Sequence, residues 1–247
     1  MGQFRIKIAG QVGEITTCFD STIEYCRPYL TEDTSDFSTV VTAGDRAFEQ
    51  AASIAEAIEE GIRPRKYGEP HLERSAIQRK FAEFLFDRDI LMLHGSAVAL
   101  DGAGYLFTAD CGTGKSTHTR LWREVFGSRA VMINDDKPFL TLREDSVEIS
   151  GSPWSGKHGL DTNITVPLAG ICFLRRGAEN RIRPLTPEEA MAMLRKQAYC
   201  PVDEGKQDRF IALVEQLATT VPLWELECNK DPEAAMVSCA AMSEKPQ

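Results

Sequence analysis

A glycine-rich stretch that ends in a lysine and a serine carries the clearest chemical meaning in the sequence. It reads "ADCGTGKS", residues 109–116, and lies between an apolar run and a pattern typical of a helix. Gly112 and Gly114 allow backbone angles that turn amide N–H groups inward, and those amides form an anion site together with the helix amino end. Lys115 adds a charge for the β and γ phosphates of a nucleotide, and the Ser116 hydroxyl can ligate magnesium. We therefore predict a nucleotide-phosphate loop.

The stretch fits the phosphate-loop (Walker A) pattern G-x-x-x-x-G-K-[ST] except at Ala109, where the first glycine belongs. The backbone amides do most of the binding, so this departure leaves the prediction in place. We expect Lys115 to be exposed in the loop. The alternative is a plain strand–turn–helix connection without a ligand. The residues predicted to bind the nucleotide are Asp110, Cys111, Gly112, Thr113, Gly114, Lys115, Ser116 and Thr117.

Two aspartates and a histidine flank this loop in the sequence. "VMINDD" is an apolar strand pattern that ends in Asp135 and Asp136, one helix after the loop. One carboxylate there can hold magnesium, which leaves the other free to act as a base. The alternative is a turn in which aspartates bond their own backbone. His94 precedes the loop, on a strand that a hairpin would place beside it, and a purely structural role is its alternative.

A second candidate element is the loop "GSPWSGKHG", residues 151–159. Its aromatic, its cation and its small residues suit the binding of a phosphate or an acceptor. We predict that Lys157 stabilises the charge of the transferred phosphoryl group and that Trp154 packs against the acceptor. A tight turn with Trp154 in the core is the alternative. Arg175 and Arg176 end a strand, where one of them could clamp phosphate and a solvated strand end is equally compatible.

The elements that must position these residues divide the chain into two predicted domains. Residues 1–88 read as a small α+β lobe, and residues 89–247 as a nucleotide-binding, kinase-like domain. In the second domain "ILMLHGSAVAL" and "YLFTA" flank the turn "DGAG", so we expect an antiparallel hairpin directly before the glycine loop. The fold class predicted is therefore α/β with a mixed sheet. Helices are predicted at 45–61, 70–89, 116–127, 186–199, 208–220 and 231–244.

Composition narrows the class of protein further. The 247 residues carry a formal net charge of −9, which argues against broad binding to nucleic acid or to an anionic membrane. Seven cysteines are scattered without a CxxC pair, which favours a reduced, cytoplasmic setting over a disulfide scaffold. The first ten residues lack the apolar core of a secretion signal. The composition is compatible with assembly of the chain into a homo-oligomer.

The region around the loop resembles HPr kinase/phosphorylase and the related phosphoenolpyruvate carboxykinase fold. The resemblance is carried by "LHGSAVALDGAGYLFTADCGTGKS" and "VMINDD". It implies a mixed-sheet P-loop fold of that type. It also implies that Asp135 handles the proton and is polarised by His94, while Asp136 and Ser116 serve the metal.

Two departures from that family bear on the acceptor. Its kinases usually carry a glutamate after the loop serine, where Thr117 stands here, and its glycine-rich signature has no match after residue 150. The resemblance implies an ATP- and Mg²⁺-dependent kinase that phosphorylates a hydroxyl of a peptide, protein or small molecule. The two departures argue against HPr as the acceptor and against the reverse phosphorylase reaction, and they leave the acceptor open. The alternative is a non-catalytic ATP-binding regulatory or assembly subunit. A decarboxylating carboxykinase is disfavoured, because no second set of metal ligands is evident.

Overall fold

The chain forms two compact units, one up to Asp87 and one from Arg88 onward. They are seen in a computed structural model that describes residues 2–59 and 61–243. No helix in these ranges combines the length and the apolar character needed to cross a membrane. The predicted helix 45–61 includes residue 60 and the predicted helix 231–244 includes residue 244, and both of these residues lie outside the described ranges.

The amino-terminal unit is a three-stranded sheet with three helices. Strand β2 pairs antiparallel with β1 and parallel with β3. A buried carboxylate, Glu73, accepts hydrogen bonds from the Thr17 hydroxyl, the Cys18 amide (2.7 Å) and the Thr22 hydroxyl (2.6 Å). The donors satisfy a charge that would otherwise be costly to bury. The elements are β1 (Gly2–Ile8), β2 (Gln11–Thr17), α1 (Asp20–Tyr25), β3 (Phe37–Val40), α2 (Ala43–Glu59) and α3 (Glu69–Phe86).

The carboxy-terminal unit is built on a nine-stranded mixed sheet, which confirms the predicted mixed α/β class. Its strands run in the order β4-β8-β9-β10-β6-β5-β7, with β12 on β10 and β11 on β12. The elements are β4 (Ile90–Met92), β5 (Ser96–Leu100), β6 (Ala103–Thr108), α4 (Lys115–Phe126), β7 (Ala130–Asn134), β8 (Phe139–Leu142), β9 (Val147–Ser150), β10 (Thr165–Arg176), β11 (Arg181–Pro184), α5 (Pro187–Gln197), α6 (Gln207–Thr220), β12 (Leu223–Cys228) and α7 (Glu233–Ser243).

Strand directions bring several strand ends to one edge of this sheet. β10 is parallel to both β6 and β12. β5 is antiparallel to β6 and to β7, so β6 and β7 run in the same direction. The carboxyl ends of β6, β7, β10 and β12 therefore share one edge, and β5 begins at that edge. Loops at such an edge are the usual ligand site of α/β sheets.

The hairpin before the glycine loop is confirmed, but the strand predicted to lead into it is interrupted. β5 and β6 pair from Ser96↔Phe107 to Leu100↔Ala103. The run "ILMLHGSAVAL" is divided into β4, which pairs with β8, and β5. His94 consequently lies in the connection between two strands rather than on one strand.

Side chains on α4 anchor the sheet to the helices behind it. Trp122 is fully buried, with its ring centroid 4.9 Å from that of Tyr105 and 5.3 Å from that of Phe107. Helix α4, which follows the glycine loop, is therefore held against the sheet by the packing of aromatic rings.

The start of α5 follows its sequence signal, because Thr186 and Glu189 form a reciprocal capping box.

Candidate active site

Three connections meet at the shared sheet edge of the carboxy-terminal unit. They are the segment before β5 with His94, the glycine loop after β6, and the aspartate pair after β7. The Thr108 hydroxyl donates to the His94 carbonyl (2.8 Å), and the Gly95 amide donates to the Asp136 carbonyl (3.0 Å). These bonds hold the sequence-predicted elements together as one cluster.

The glycine loop has the backbone geometry of an anion site. Gly112 has φ 73° and Gly114 has φ 124°, conformations that residues with a side chain rarely adopt. Helix α4 begins immediately afterwards at Lys115, and no side chain caps its amino end. The amides of a first helical turn have no intrahelical partner, so they are available to a negatively charged group.

Lys115 is buried, which corrects the expectation of an exposed loop lysine. Its side chain lies back along the loop, and Nζ donates to the Ala109 carbonyl at 2.9 Å. Only 9% of the residue is exposed, and this burial lowers the pKa of its ammonium. The ammonium is therefore positioned by the loop itself, through the Ala109 carbonyl.

Two cationic side chains from other elements form hydrogen bonds with the glycine loop. The Arg176 guanidinium, at the end of β10, donates to the carbonyls of Gly112 and Thr113. Lys196 of α5 donates from Nζ to Asp110 Oδ1 at 2.6 Å. Arg176 was one of the two arginines considered for a phosphate clamp. In the structure it bonds the loop backbone instead.

Asp135 is tied to the helix that follows the glycine loop. The residue is 7% exposed, and its Oδ1 accepts a hydrogen bond from Ser96 Oγ at 2.6 Å. Ser96 Oγ in turn lies 2.7 Å from Thr119 Oγ1, one turn along α4 from Lys115. The carboxylate is therefore fixed in orientation, close to the start of α4.

Asp136 has a different environment, and it is the aspartate that His94 contacts. His94 Nε2 lies 3.4 Å from Asp136 Oδ1, and Lys137 Nζ lies 3.9 Å from the same oxygen. About a third of the Asp136 side chain (32%) remains exposed. Burial of the rest raises the pKa of this carboxyl. Burial, together with Lys137 and Lys115, lowers the pKa of His94 to about 3, so its imidazole is neutral.

The expected pairing of His94 with Asp135 is thus replaced by a pairing with Asp136. The reason is a turn made by the side chain of Asn134. Asn134 Oδ1 accepts from the amides of Asp136 (2.8 Å) and Lys137 (2.6 Å). This side-chain turn directs Asp136 towards the segment before β5, whereas Asp135 points to Ser96.

The candidate loop at residues 151–159, together with the three residues that follow it, lies against the end of β7 and next to the aspartates. This longer segment is the loop at 151–162. Asn134 Nδ2 donates to the Ser152 carbonyl at 2.8 Å, and Thr162 donates its amide to the Ile133 carbonyl at 3.1 Å. Gly156, with φ 67°, lies directly against Asp136. Lys157 follows in a short 3₁₀ turn and is exposed. The structure therefore places this loop beside the aspartate pair.

Trp154 does not face the site, in contrast to the prediction that it packs against an acceptor. It is 5% exposed, and its ring lies 6.2 Å from that of Phe139 on β8. A bulky apolar ring gains more from this buried position than from an open loop. The alternative reading, a tight turn anchored in the core, is the one that the structure supports for this residue.

The donor set fits a magnesium ion that is bound together with a nucleotide. In the described ranges, no group of three or more His, Cys, Asp and Glu side chains is arranged to hold a metal alone. Magnesium in nucleotide sites is usually held by one or two carboxylates and by phosphate oxygens, with water completing the shell. Asp135, Asp136 and the Ser116 hydroxyl provide protein ligands of this kind.

The supporting residues Ser96, Thr119 and Asn134 were not anticipated from the sequence. Asn134 had a local signal, because an asparagine two residues before a turn position commonly bonds the backbone ahead of it. The Ser96–Thr119 contact joins residues 23 apart and depends on the packing of α4 on β5, so no local pattern could have indicated it.

Comparison with known proteins gives little likeness. No protein-family model matches the sequence, and no curated protein matches it. Among solved structures, the Hpr(Ser) kinase/phosphatase from Coxiella burnetii is similar over 62% of this chain and 94% of its own, at 9% identity and a TM-score of 0.36. A likeness at this level carries no functional argument, so the geometry of the site is what supports a function.

Proposed function

We propose that this chain is an ATP-dependent kinase that transfers a phosphoryl group to a hydroxyl of a peptide, protein or small molecule. One observation carries the proposal. The glycine loop with its free helix-start amides, the positioned Lys115, and the pair Asp136–His94 all lie at one sheet edge. A site that only binds nucleotide has no use for a carboxylate beside a neutral histidine, whereas phosphoryl transfer to a hydroxyl uses a base.

The loop and Lys115 bind the phosphates of ATP in this proposal. The first-turn amides of α4 and the ammonium act on the β and γ phosphates. Arg176 and Lys196 act indirectly, because Arg176 bonds the carbonyls of Gly112 and Thr113 and Lys196 pairs with the Asp110 carboxylate. Preorganised donors of this type stabilise charge as it moves between phosphate oxygens.

Asp136 is the proton acceptor, and Asp135 serves the metal. This exchanges the two roles that the resemblance implied. Asp136 is the partly exposed carboxylate that an acceptor can reach, and neutral His94 orients it. Asp135 is buried and fixed near the start of α4 through Ser96. Asp135 and the Ser116 hydroxyl would hold Mg²⁺, which neutralises phosphate charge when it is bound.

The acceptor approaches from the side of the loop at 151–162. Gly156 lies against Asp136, and the exposed Lys157 follows directly. Lys157 stabilises the charge on the transferred group in this proposal. The ammonium is on an exposed side chain, so its contribution is smaller than that of a preorganised donor.

We also propose the finer assignments that follow from the sequence. The fold is of the HPr kinase/phosphoenolpyruvate carboxykinase type, and the protein works in the cytoplasm. All seven cysteines lie within the described ranges and are free thiols, which suits a reducing compartment. ATP and the hydroxyl acceptor are the proposed partners, with neither nucleic acid nor membrane among them.

The proposal is tested with MgATP alone, because water can replace an absent acceptor. Purified protein is incubated with ATP and Mg²⁺, and ADP formation is followed. We expect slow turnover that is lost in Lys115→Ala and strongly reduced in Asp136→Asn. Wild-type protein that binds MgATP without any turnover would favour the regulatory or assembly subunit. Wild-type protein that does not bind MgATP would contradict both functions.

A further inference from the structure

A cavity of about 460 Å³ lies beside the glycine loop and is partly lined by Gly112, Thr113 and Gly114. It is enclosed by the loop, the first turns of α4 and the carboxyl ends of β10 and β12. Leu121, Leu174 and Cys228 form apolar parts of its wall, while Arg176 and Lys230 contribute positive charge. All of these residues belong to the carboxy-terminal unit, and the proposed phosphotransfer chemistry uses none of the apolar ones.

We propose that this cavity binds the nucleoside half of ATP, an inference that rests on the proposed function. The sheet order supports the placement. β10 lies on one side of β6, and β5 and β7 lie on the other. The glycine loop follows β6, so it separates this cavity from the aspartate pair after β7. A triphosphate across the loop then has its γ phosphate towards Asp136 and its nucleoside towards β10 and β12.

The composition of the cavity suits a base and a ribose. Its volume lies within the range of small-molecule sites, which are mostly apolar with a few polar groups. The flat face of a base can pack on the leucine side chains of the wall. Arg176 and Lys230 are exposed cations in the lining, and Arg176 also donates to the loop carbonyls of Gly112 and Thr113. No carboxylate lines the cavity among the described residues, which favours a ligand with negative charge at one end.

A buried histidine in the wall adds a polar ring nitrogen to the cavity. His118 Nε2 lies 3.0 Å from Ser238 Oγ and 3.2 Å from Trp122 Nε1, so this nitrogen has a partner in either tautomer of the neutral ring. Within the part of the chain that the structure describes, His118 Nδ1 is buried without a partner. His118 also lines the cavity. A base carries both acceptors and amino or imino donors on its edge, so it can pair with Nδ1 in either tautomer.

Two cysteines allow the two halves of the ligand to be located separately. Cys111 lies in the glycine loop and is exposed, whereas Cys228 lines the cavity. Wild-type protein is alkylated with a small thiol reagent, and the rate at each cysteine is followed by mass spectrometry, with Mg²⁺ and either ATP or inorganic tripolyphosphate. At about ten times Kd we expect ATP to slow both sites about tenfold, because about nine-tenths of the protein is then bound. Tripolyphosphate should slow Cys111 alone.

Each other outcome overturns the inference, and the failures are distinguishable. Protection of Cys111 by ATP with an unchanged rate at Cys228 would place the nucleoside elsewhere while sparing the proposed function. Equal protection of Cys228 by ATP and tripolyphosphate would mean that phosphate rather than nucleoside occupies the cavity. No protection of either cysteine would contradict the inference and the proposed function together.

A filled cavity provides a second measurement. Cys228→Phe should weaken the binding of ATP by at least about tenfold and leave tripolyphosphate binding unchanged, because the ring occupies space that the nucleoside needs. Cys239→Phe is the matched control, since Cys239 is also partly buried but lies outside the lining. Equal ATP affinity in folded Cys228→Phe and Cys239→Phe would overturn the inference.

Discussion

Gly156 lies so close to Asp136 that a side chain at this position would press on the proposed base. A Cβ on Gly156 would stand 3.2 Å from Asp136 Cβ and 3.5 Å from its Oδ2. The residue also has φ 67°, which glycine adopts without cost. The glycine therefore has a packing role in the site as well as a conformational one.

The Gly156–Asp136 contact predicts that Gly156→Ala slows turnover while MgATP binding is kept. The new methyl group displaces the Asp136 carboxylate, and a small displacement of a base is costly in rate. Gly159→Ala is a close control, because Gly159 has φ 58° but no atom within 4 Å of its virtual Cβ. Both variants bear a backbone strain of roughly 1–2 kcal/mol. Equal turnover in the two variants would remove the proposed role of the contact.

The two aspartates are separated by amide substitution. Asp136→Asn should retain MgATP affinity and lose turnover by roughly 10²–10⁴-fold, since an amide cannot accept the proton. Asp135→Asn should instead raise the Mg²⁺ concentration needed for half-maximal turnover. The measurement is a magnesium titration of ADP formation for both variants. The reverse pattern would restore the roles that the family resemblance implied.

Lys157→Ala should slow turnover on the order of tenfold without a change in ATP affinity, because the exposed ammonium acts only on the transferred group. Lys157→Arg keeps the charge and should retain most of the rate. His158→Ala removes an exposed side chain from the same 3₁₀ turn and serves as the control. If Lys157→Ala loses ATP binding together with turnover, this loop belongs to the nucleotide side, and the acceptor approaches from elsewhere.

His118 predicts a specific loss of stability in mild acid. Burial lowers its pKa from 6.5 to about 4 in the folded state, so the unfolded chain binds the proton more tightly. Its contribution to stability is therefore complete above about pH 6.5 and is lost as the pH falls towards 4. The loss is at most about 3 kcal/mol. His94 adds a loss of the same sign.

The test compares wild type with His118→Gln in urea unfolding at pH 7.5 and pH 4.5. All three tryptophans, Trp122, Trp154 and Trp224, lie in the carboxy-terminal unit, so their fluorescence reports on that unit. The variant should show a smaller difference in unfolding free energy between the two pH values than the wild type. An equal difference would mean that His118 does not titrate between these states.

Local patterns predicted the elements of the site well, because they depend on short-range chemistry. The hairpin before the glycine loop and the cap at Thr186 follow from turn residues and from capping spacing, and both are present. Gly114, which the phosphate-loop pattern requires, has a positive φ, and so does Gly112 at a position that the pattern leaves free. These features are set within a few residues of the chain.

Side-chain partners were harder to predict, because they depend on contacts between distant strands. The orientation of Asp136 towards His94 depends on a turn made by Asn134, and the burial of Lys115 depends on its bond to Ala109. The sequence was compatible with Trp154 packing either against an acceptor or in the core. In the structure Trp154 is buried next to Phe139. The sequence supplied the residue types, and tertiary packing assigned their neighbours.

Binding of the ATP phosphates by the glycine loop is tested by calorimetric titration of wild type and Lys115→Ala with MgATP. The substitution removes a charged donor worth about 1.5–3 kcal/mol, so we predict an affinity at least roughly tenfold weaker. Because Lys115 is buried against the Ala109 carbonyl, tryptophan fluorescence must first show that the variant is folded. Equal MgATP affinity in folded Lys115→Ala and wild type, or no MgATP binding by wild type, would contradict the account.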